Sequence, residues 1–171
     1  LQRRRQRQMC IRDRLNIDSS NTLISFEDRM SSKVLNGFFV NGSLDSLRLI
    51  GMASTTYHLF EDSLYKGKNL TSGDTIIMRF DEKDLDDIVV DGGSRGEYVP
   101  NKKTNDSDFP LIYSADRIDY FLKTETTKLI GNAKAKHENT DLKAGFIEVN
   151  WPSRILNAFP KQPHDLSLIH I

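Results

Sequence analysis

The chain lacks most of what would announce a chemistry. It holds one cysteine, Cys10, so it cannot close a disulfide within itself. No apolar run approaches the roughly 20 residues of a membrane-spanning helix, which leaves strand-built crossings unaddressed. The HExxH, CxxC, GxSxG, P-loop and GxGxxG patterns are all absent, and with them the zinc, thiol, nucleophile-elbow and nucleotide chemistries they carry. Apolar residues at helical spacing are scarce between residues 15 and 165. An excess of one charge is missing too, with 24 Lys+Arg against 24 Asp+Glu.

That balance hides an asymmetry. Residues 1–14 carry Arg3, Arg4, Arg5, Arg7, Arg12 and Arg14 with one acid, Asp13, so the remainder holds 18 basic and 23 acidic residues and no cysteine. An Arg-rich arm of this kind ordinarily serves phosphate neutralisation on nucleic acid. Here the strings Met9-Cys10-Ile11-Arg12-Asp13-Arg14 and Ser167-Leu168-Ile169-His170-Ile171 resemble translated read-through of sequencing adapters in metagenomic assemblies. Segments 1–14 and 166–171 are therefore set apart from the fold, the first as a disordered arm, and no nucleic-acid partner is expected. On this reading the chain is an internal piece of a gene, and any signal peptide would lie upstream.

What is present is alternation. In Thr75–Phe80, residues Ile76, Met78 and Phe80 share one side; in Arg117–Leu122 the set is Ile118, Tyr120 and Leu122; in Phe146–Trp151 it is Ile147, Val149 and Trp151. Period two is the signature of a half-buried strand. Asn36-Gly37, Asn41-Gly42, Ser72-Gly73-Asp74 and Asp91-Gly92-Gly93 are read as the turns between short strands. Asp81–Asp87 is a charged hairpin connection into the strand Ile88-Val89-Val90. The pattern predicts an all-β sandwich, jellyroll or solenoid. Residues 100–110, polar with Pro100 and Pro110 at the ends, form a loop between two halves, 15–99 and 111–165. Leu49-Ile50-Gly51-Met52-Ala53 recurs 80 residues later as Leu129-Ile130-Gly131-Asn132-Ala133, each followed by a strand reaching a histidine, His58 or His137. Such repetition means that each unit needs a neighbour to close its core.

No catalytic set emerges. The acids Asp81, Glu82, Asp84, Asp86 and Asp87 lack the glycine and closing glutamate of a calcium loop, and Gly92–Gly96 is followed by Glu97 where a calcium-binding β-roll has aspartate. No metal, cofactor or catalytic residue is assigned, and the protein is read as a non-enzyme.

Ser46–Ala53, Tyr57-His58-Leu59, Leu64–Gly67 and Thr71–Ile76, with Tyr113–Tyr120, Gly131-Asn132-Ala133 and Leu142–Ile147, resemble the OstA-like (LptA-like) lipopolysaccharide-transport family. The family phrase is an L-x-G-N-A strand followed by an A/G-D-x-I strand. Met52 departs from it where Asn is usual, and Gly145-Phe146 departs where Ala-Asp is usual. The closing phrase Ala144–Pro152 is similar to the N-terminal periplasmic domain of the LptD-type outer-membrane assembly protein. The resemblance implies an open, V-shaped β-jellyroll of stacked antiparallel strands in two repeat halves, in the periplasm and associated with the outer membrane. It implies a slit that shelters lipopolysaccharide acyl chains, like modules joined head to tail by strand addition, and an outer-membrane barrel as partner. The slit lining is then Ile76, Met78, Phe80, Ile88, Val90, Ile118, Tyr120, Leu122, Ile147, Val149 and Trp151. Lys134 and Lys136 face outward beside inward Ala133 and Ala135, and with Lys128 and Lys143 stand near the rim. Two rival readings are a structural β-repeat of a surface protein, with a filled core, and a β-solenoid enzyme acting on polysaccharide.

Overall fold

The computed structural model describes residues 7–17, 23–61, 64–81, 84–102, 109–153, 155–161 and 168–170, with the backbone path alone at 7–17, 23–25 and 168–170. Eleven strands are described: β1 (Arg7–Ile17), β2 (Leu23–Ser32), β3 (Val34–Val40), β4 (Ser43–Glu61), β5 (Leu64–Asp81), β6 (Asp84–Pro100), β7 (Leu111–Phe121), β8 (Thr126–His137), β9 (Thr140–Asn150), β10 (Ile155–Phe159) and β11 (Leu168–His170). They form one antiparallel sheet in the order β1-β2-β4-β5-β6-β7-β8-β9-β10, with β3 added to β4 and β11 to β9. β1 and β11 thus arise within the two segments set apart from the fold above, and residues 7–14, expected as a disordered arm, are instead paired with β2 at the end of the sheet.

β4, β5 and β6 run 19, 18 and 17 residues, about three times a usual strand. Each long strand is creased in the middle. The register slips between Ile50 and Ala53, Ser72 and Thr75, Asp91 and Ser94, Ser114 and Arg117, and Ile130 and Ala133, and these slips line up from strand to strand. On β4, β6 and β8 the crease is two consecutive residues with positive φ: Gly51-Met52, Gly92-Gly93 and Gly131-Asn132. Successive members are 41 and 39 residues apart, so the 80-residue recurrence is two hairpin units of about 40. Side chains of the neighbouring strand lie against the bare glycines, Asp74 at Gly92 and Asp116 at Gly131. Asn132 Nδ2 also donates to Asp116 Oδ2 at 2.8 Å.

The crease corrects the turn assignments. Asn41-Gly42, with φ of 50° and 81°, is the β3–β4 hairpin turn as expected. Asn36-Gly37 lies inside β3, while Ser72-Gly73-Asp74 and Asp91-Gly92-Gly93 lie inside β5 and β6. The same conformational freedom that closes a hairpin here bends a strand that continues. The polar stretch after Pro100 joins β6 to β7, which pair from Asp87↔Phe121 to Tyr98↔Leu111, so the sheet is continuous through both halves.

The crease divides the sheet into two facing walls. On β4, β6 and β8 the two extra residues preserve the inward phase: Leu47 and Leu49 then Ala53 and Thr55; Ile88 and Val90 then Ser94; Thr127 and Leu129 then Ala133 and Ala135. On β5, β7 and β9 the phase shifts by one, from Thr71 to Ile76 and Met78, from Tyr113 and Ala115 to Ile118 and Tyr120, and from Leu142 to Ile147. A one-residue slip moves a strand's side chains to its other face, so each slip keeps both limbs of the strand facing the same interior. One wall is built of large aliphatic residues, the other mostly of Ala, Thr, Ser and Tyr.

Candidate functional site

The residues expected to line a slit are brought together between the walls. Ile76, Val90, Ile118 and Ile147 are wholly buried, Met78, Ile88 and Tyr120 are buried, and Phe80, Leu122 and Val149 pack against them from the margins. Trp151 is set apart, at the edge and 36% exposed. These residues form the aliphatic wall. Of the small-residue wall facing it, Ala133 and Ala135 turn inward as expected, while Thr71, Ser94, Tyr113, Ala115 and Leu142 were missed, because this set contains few large apolar groups and stands out of phase on alternate strands. The available signal was the pair Tyr113, Ala115 followed by Ile118, Tyr120, an alternation interrupted by one residue.

The walls touch. Tyr113, on one limb of β7, donates its hydroxyl hydrogen to Asn69 Oδ1 at 2.7 Å. Its oxygen lies 3.0 Å from the hydroxyl of Tyr120, on the other limb, and Tyr120 lies 2.9 Å from Thr71 Oγ1. Burial pushes the Tyr113 phenol well above its usual range, reinforced by the neighbouring Tyr120, and burial raises Tyr120 as well. At the crease, buried Ser94 donates to the Val90 carbonyl at 2.8 Å. The sheet is open, since β1 and β10 end it without pairing to each other, but its interior is filled.

Two recesses bear on the site. The larger, about 320 Å³, lies at the β5–β6 and β7–β8 ends and is lined by Arg79, Asp86, Asp87, Phe121, Lys123 and Thr124. Its cations are neutralised: Arg79 pairs with Asp87 at 2.5 Å, and Lys123 with Asp81 at 2.5 Å and Asp86 at 3.2 Å, bonds that raise the Lys123 pKa. The smaller, about 10 Å³, lies between the walls under Trp151, lined also by Leu111, Tyr113, Thr127, Leu129, Ala135 and Val149. The indole N–H of Trp151 donates to Thr127 Oγ1 at 2.9 Å, and its ring lies 5.6 Å from that of Tyr98 on the opposite wall.

The outward lysines are where alternation puts them. Lys134, Lys136 and Lys143 are exposed, with Lys134 directly opposite Lys143, while Lys128 pairs with Glu148 at 3.5 Å. The two repeat histidines are not equivalent. Counted from the crease, Tyr57 is the counterpart of His137, and His58 stands one residue out of phase. His58 instead meets buried Asp28 through Nδ1 at 3.0 Å and its backbone N–H at 2.8 Å, inside a cluster with Phe26, Phe60 and Tyr65. Both ends of the aliphatic wall are edge strands with exposed apolar side chains: Val34, Phe38, Phe39 and Val40 on β3, and Ile155, Leu156 and Phe159 on β10. Near β10, Gly145 lies directly beneath the backbone of Lys161, which accounts for glycine at that departure from the family phrase.

This creased sheet has a counterpart among solved structures. LptH, "the LptA homologous periplasmic component of the conserved lipopolysaccharide transport device from Pseudomonas aeruginosa", matches with a TM-score of 0.63 over 84% of this chain and 94% of its own. The fold is an LptA-like β-jellyroll. Identity over the match is 15%, so the likeness is one of fold. No protein-family model and no curated protein matches the chain. In jellyroll terms, the crease is the apex of the V and the two walls are its arms.

Proposed function

We propose that the chain is a non-enzymatic lipid-transport module that shelters lipopolysaccharide acyl chains between its walls, in the periplasm, on the way to the outer membrane. The observation that carries the reading is an open jellyroll with a continuous aliphatic wall: it can part at the crease without breaking a strand ladder. The lining is Ile76, Met78, Phe80, Ile88, Val90, Ile118, Tyr120, Leu122, Ile147 and Val149, with Trp151 at the margin.

The energetics favour a chain once admitted. Parting the walls breaks the Tyr113–Tyr120 and Thr71–Tyr120 hydrogen bonds, each worth about 1 kcal/mol net. Burying methylenes returns about 0.8 kcal/mol apiece, so roughly a dozen carbons supply ~10 kcal/mol. Apolar contact between the walls is replaced by apolar contact with the chain rather than lost to water. Release therefore requires a partner. The edges of β3 and β10 suit strand addition by like modules, a heterologous contact that propagates head to tail. The likeness of Ala144–Pro152 to the LptD-type domain adds a finer form of this reading, in which an outer-membrane barrel follows.

The test is photo-crosslinking from the half-buried positions Phe80 and Val149 with purified lipopolysaccharide, using outward Ile112 as control. Labelling at Phe80 and Val149 but not at Ile112 is expected. Labelling no stronger than that of an unrelated β protein overturns the proposal. The filled interior and its hydroxyl network favour a second reading, a structural β-repeat, whose signature is a chain that extracts no lipid.

A further inference from the structure

We propose that Trp151 is the lid of a lateral entrance between the walls, and that a single alkyl chain enters beneath it. The inference rests on the lipid-carrying reading and says where the interior opens. Trp151 follows β9, its backbone N–H bound to the Glu125 carbonyl at 3.1 Å, so the main chain is fixed while the side chain reaches across the gap. Two contacts hold the indole down: the hydrogen bond to Thr127 Oγ1 at 2.9 Å on the aliphatic wall, and the tilted ring of Tyr98 at 5.6 Å on the other. Tyr98 is itself braced by its hydroxyl on the Lys66 carbonyl at 3.1 Å.

Beneath the indole the packing is incomplete. The void of about 10 Å³ has side chains of both walls around it, Leu111, Tyr113 and Ala135 from one, Thr127, Leu129 and Val149 from the other. One hydroxyl in that lining, on Thr127, is occupied by the lid, and the other, on Tyr113, is bound to Asn69 and Tyr120. With the indole out, the single polar group released to a guest is the Thr127 hydroxyl, and the rest of the lining is hydrocarbon or already hydrogen-bonded, which selects an alkyl chain over a headgroup or sugar. When the indole swings outward the void joins the exterior, and an alkyl chain takes the place of the ring. Inward travel leads to Tyr113, whose hydroxyl network ties the walls together. At this partly exposed tryptophan both walls, an imperfectly filled space and a removable cover coincide.

Trp151 is the only tryptophan in the chain, so its fluorescence reports the lid alone. The experiment mixes the full chain with 12-bromododecanoate, whose bromine quenches indole on contact, and measures quenching beside co-elution of the probe with the protein. Quenching that saturates with binding is expected. Thr127→Val, which removes the acceptor at nearly constant volume, should speed its onset about two- to tenfold, the ratio set by losing one hydrogen bond of ordinary net strength. Tyr98→Leu should act in the same direction and serves where Thr127→Val fails to fold. Probe that binds without quenching, or an onset rate unchanged in the folded variants, overturns the lid while leaving the lipid-carrying reading intact. No binding of probe, together with no crosslinking of lipopolysaccharide at Phe80 or Val149, overturns both.

Discussion

The phenolic oxygens of Tyr113 and Tyr120 lie 3.0 Å apart although the two residues stand seven positions apart on opposite limbs of one strand. Only a strand folded back on itself brings them together, and the pair clasps the V at its middle. Both phenols are buried and both titrate above the ordinary 10.0, so the folded state holds their protons where the unfolded chain releases them. Their contribution is fully present below about pH 10 and is lost as pH rises beyond it. The expected outcome is a fall in unfolding free energy above about pH 10. Replacing Tyr120 with Phe should reduce that slope by about one proton and cost about 1–2 kcal/mol at neutral pH. Urea titrations at several pH values check both.

Met52 occupies the left-handed position that Asn132 holds in the second half, with φ of 52° and 48° respectively. A methionine there is strained, whereas asparagine tolerates the conformation. Met52→Asn should stabilise the protein by about 1 kcal/mol, a rise of a few degrees in melting temperature by calorimetry. An unchanged or lower melting temperature contradicts the crease account.

Two glycines on β6 separate conformational strain from crowding. A methyl added at Gly93 meets nothing within 4 Å, but φ is 60°, so Gly93→Ala should cost about 1 kcal/mol. Gly96 has no positive φ, yet an added methyl lands in the ring of Tyr113. Gly96→Ala should cost about 3 kcal/mol, because the ring must leave its hydrogen bonds. Ultraviolet titration should then show one tyrosine returning toward the ordinary range in Gly96→Ala and none in Gly93→Ala.

Gly145 admits the backbone of Lys161 against β9, and Phe159 rests near Phe146 with ring centroids 5.7 Å apart. Gly145→Ala should lift the segment after Phe159, seen as faster tryptic cleavage at Lys161. Amide exchange at Ile76 and Ile118, deep in the sheet, should remain as slow as in the unmodified chain.

Much of the strand pattern was legible because alternation is local. Ile76 and Met78, Ile118 and Tyr120, and Lys134 and Lys136 each take the face their neighbours dictate. The glycines were harder to place. Gly92-Gly93 and Gly42 share the capacity for positive φ, but one pair bends a strand and the other closes a hairpin, a difference set by whether pairing partners wait on both sides. His58 and His137 each follow the repeated phrase, but the 80-residue offset sets His137 against Tyr57, a one-step difference already present in the letters.

By itself the sequence determined that these segments are strands and which residues of the aliphatic limbs turn inward, since side-chain alternation and apolar content are properties of short stretches. Only the tertiary structure decided that the creases align, that a second wall of Ala, Thr and Tyr faces the first, and that Trp151 reaches Tyr98 across the gap. Those are outcomes of backbone pairing between distant strands, where a slip of one residue changes which face a side chain takes.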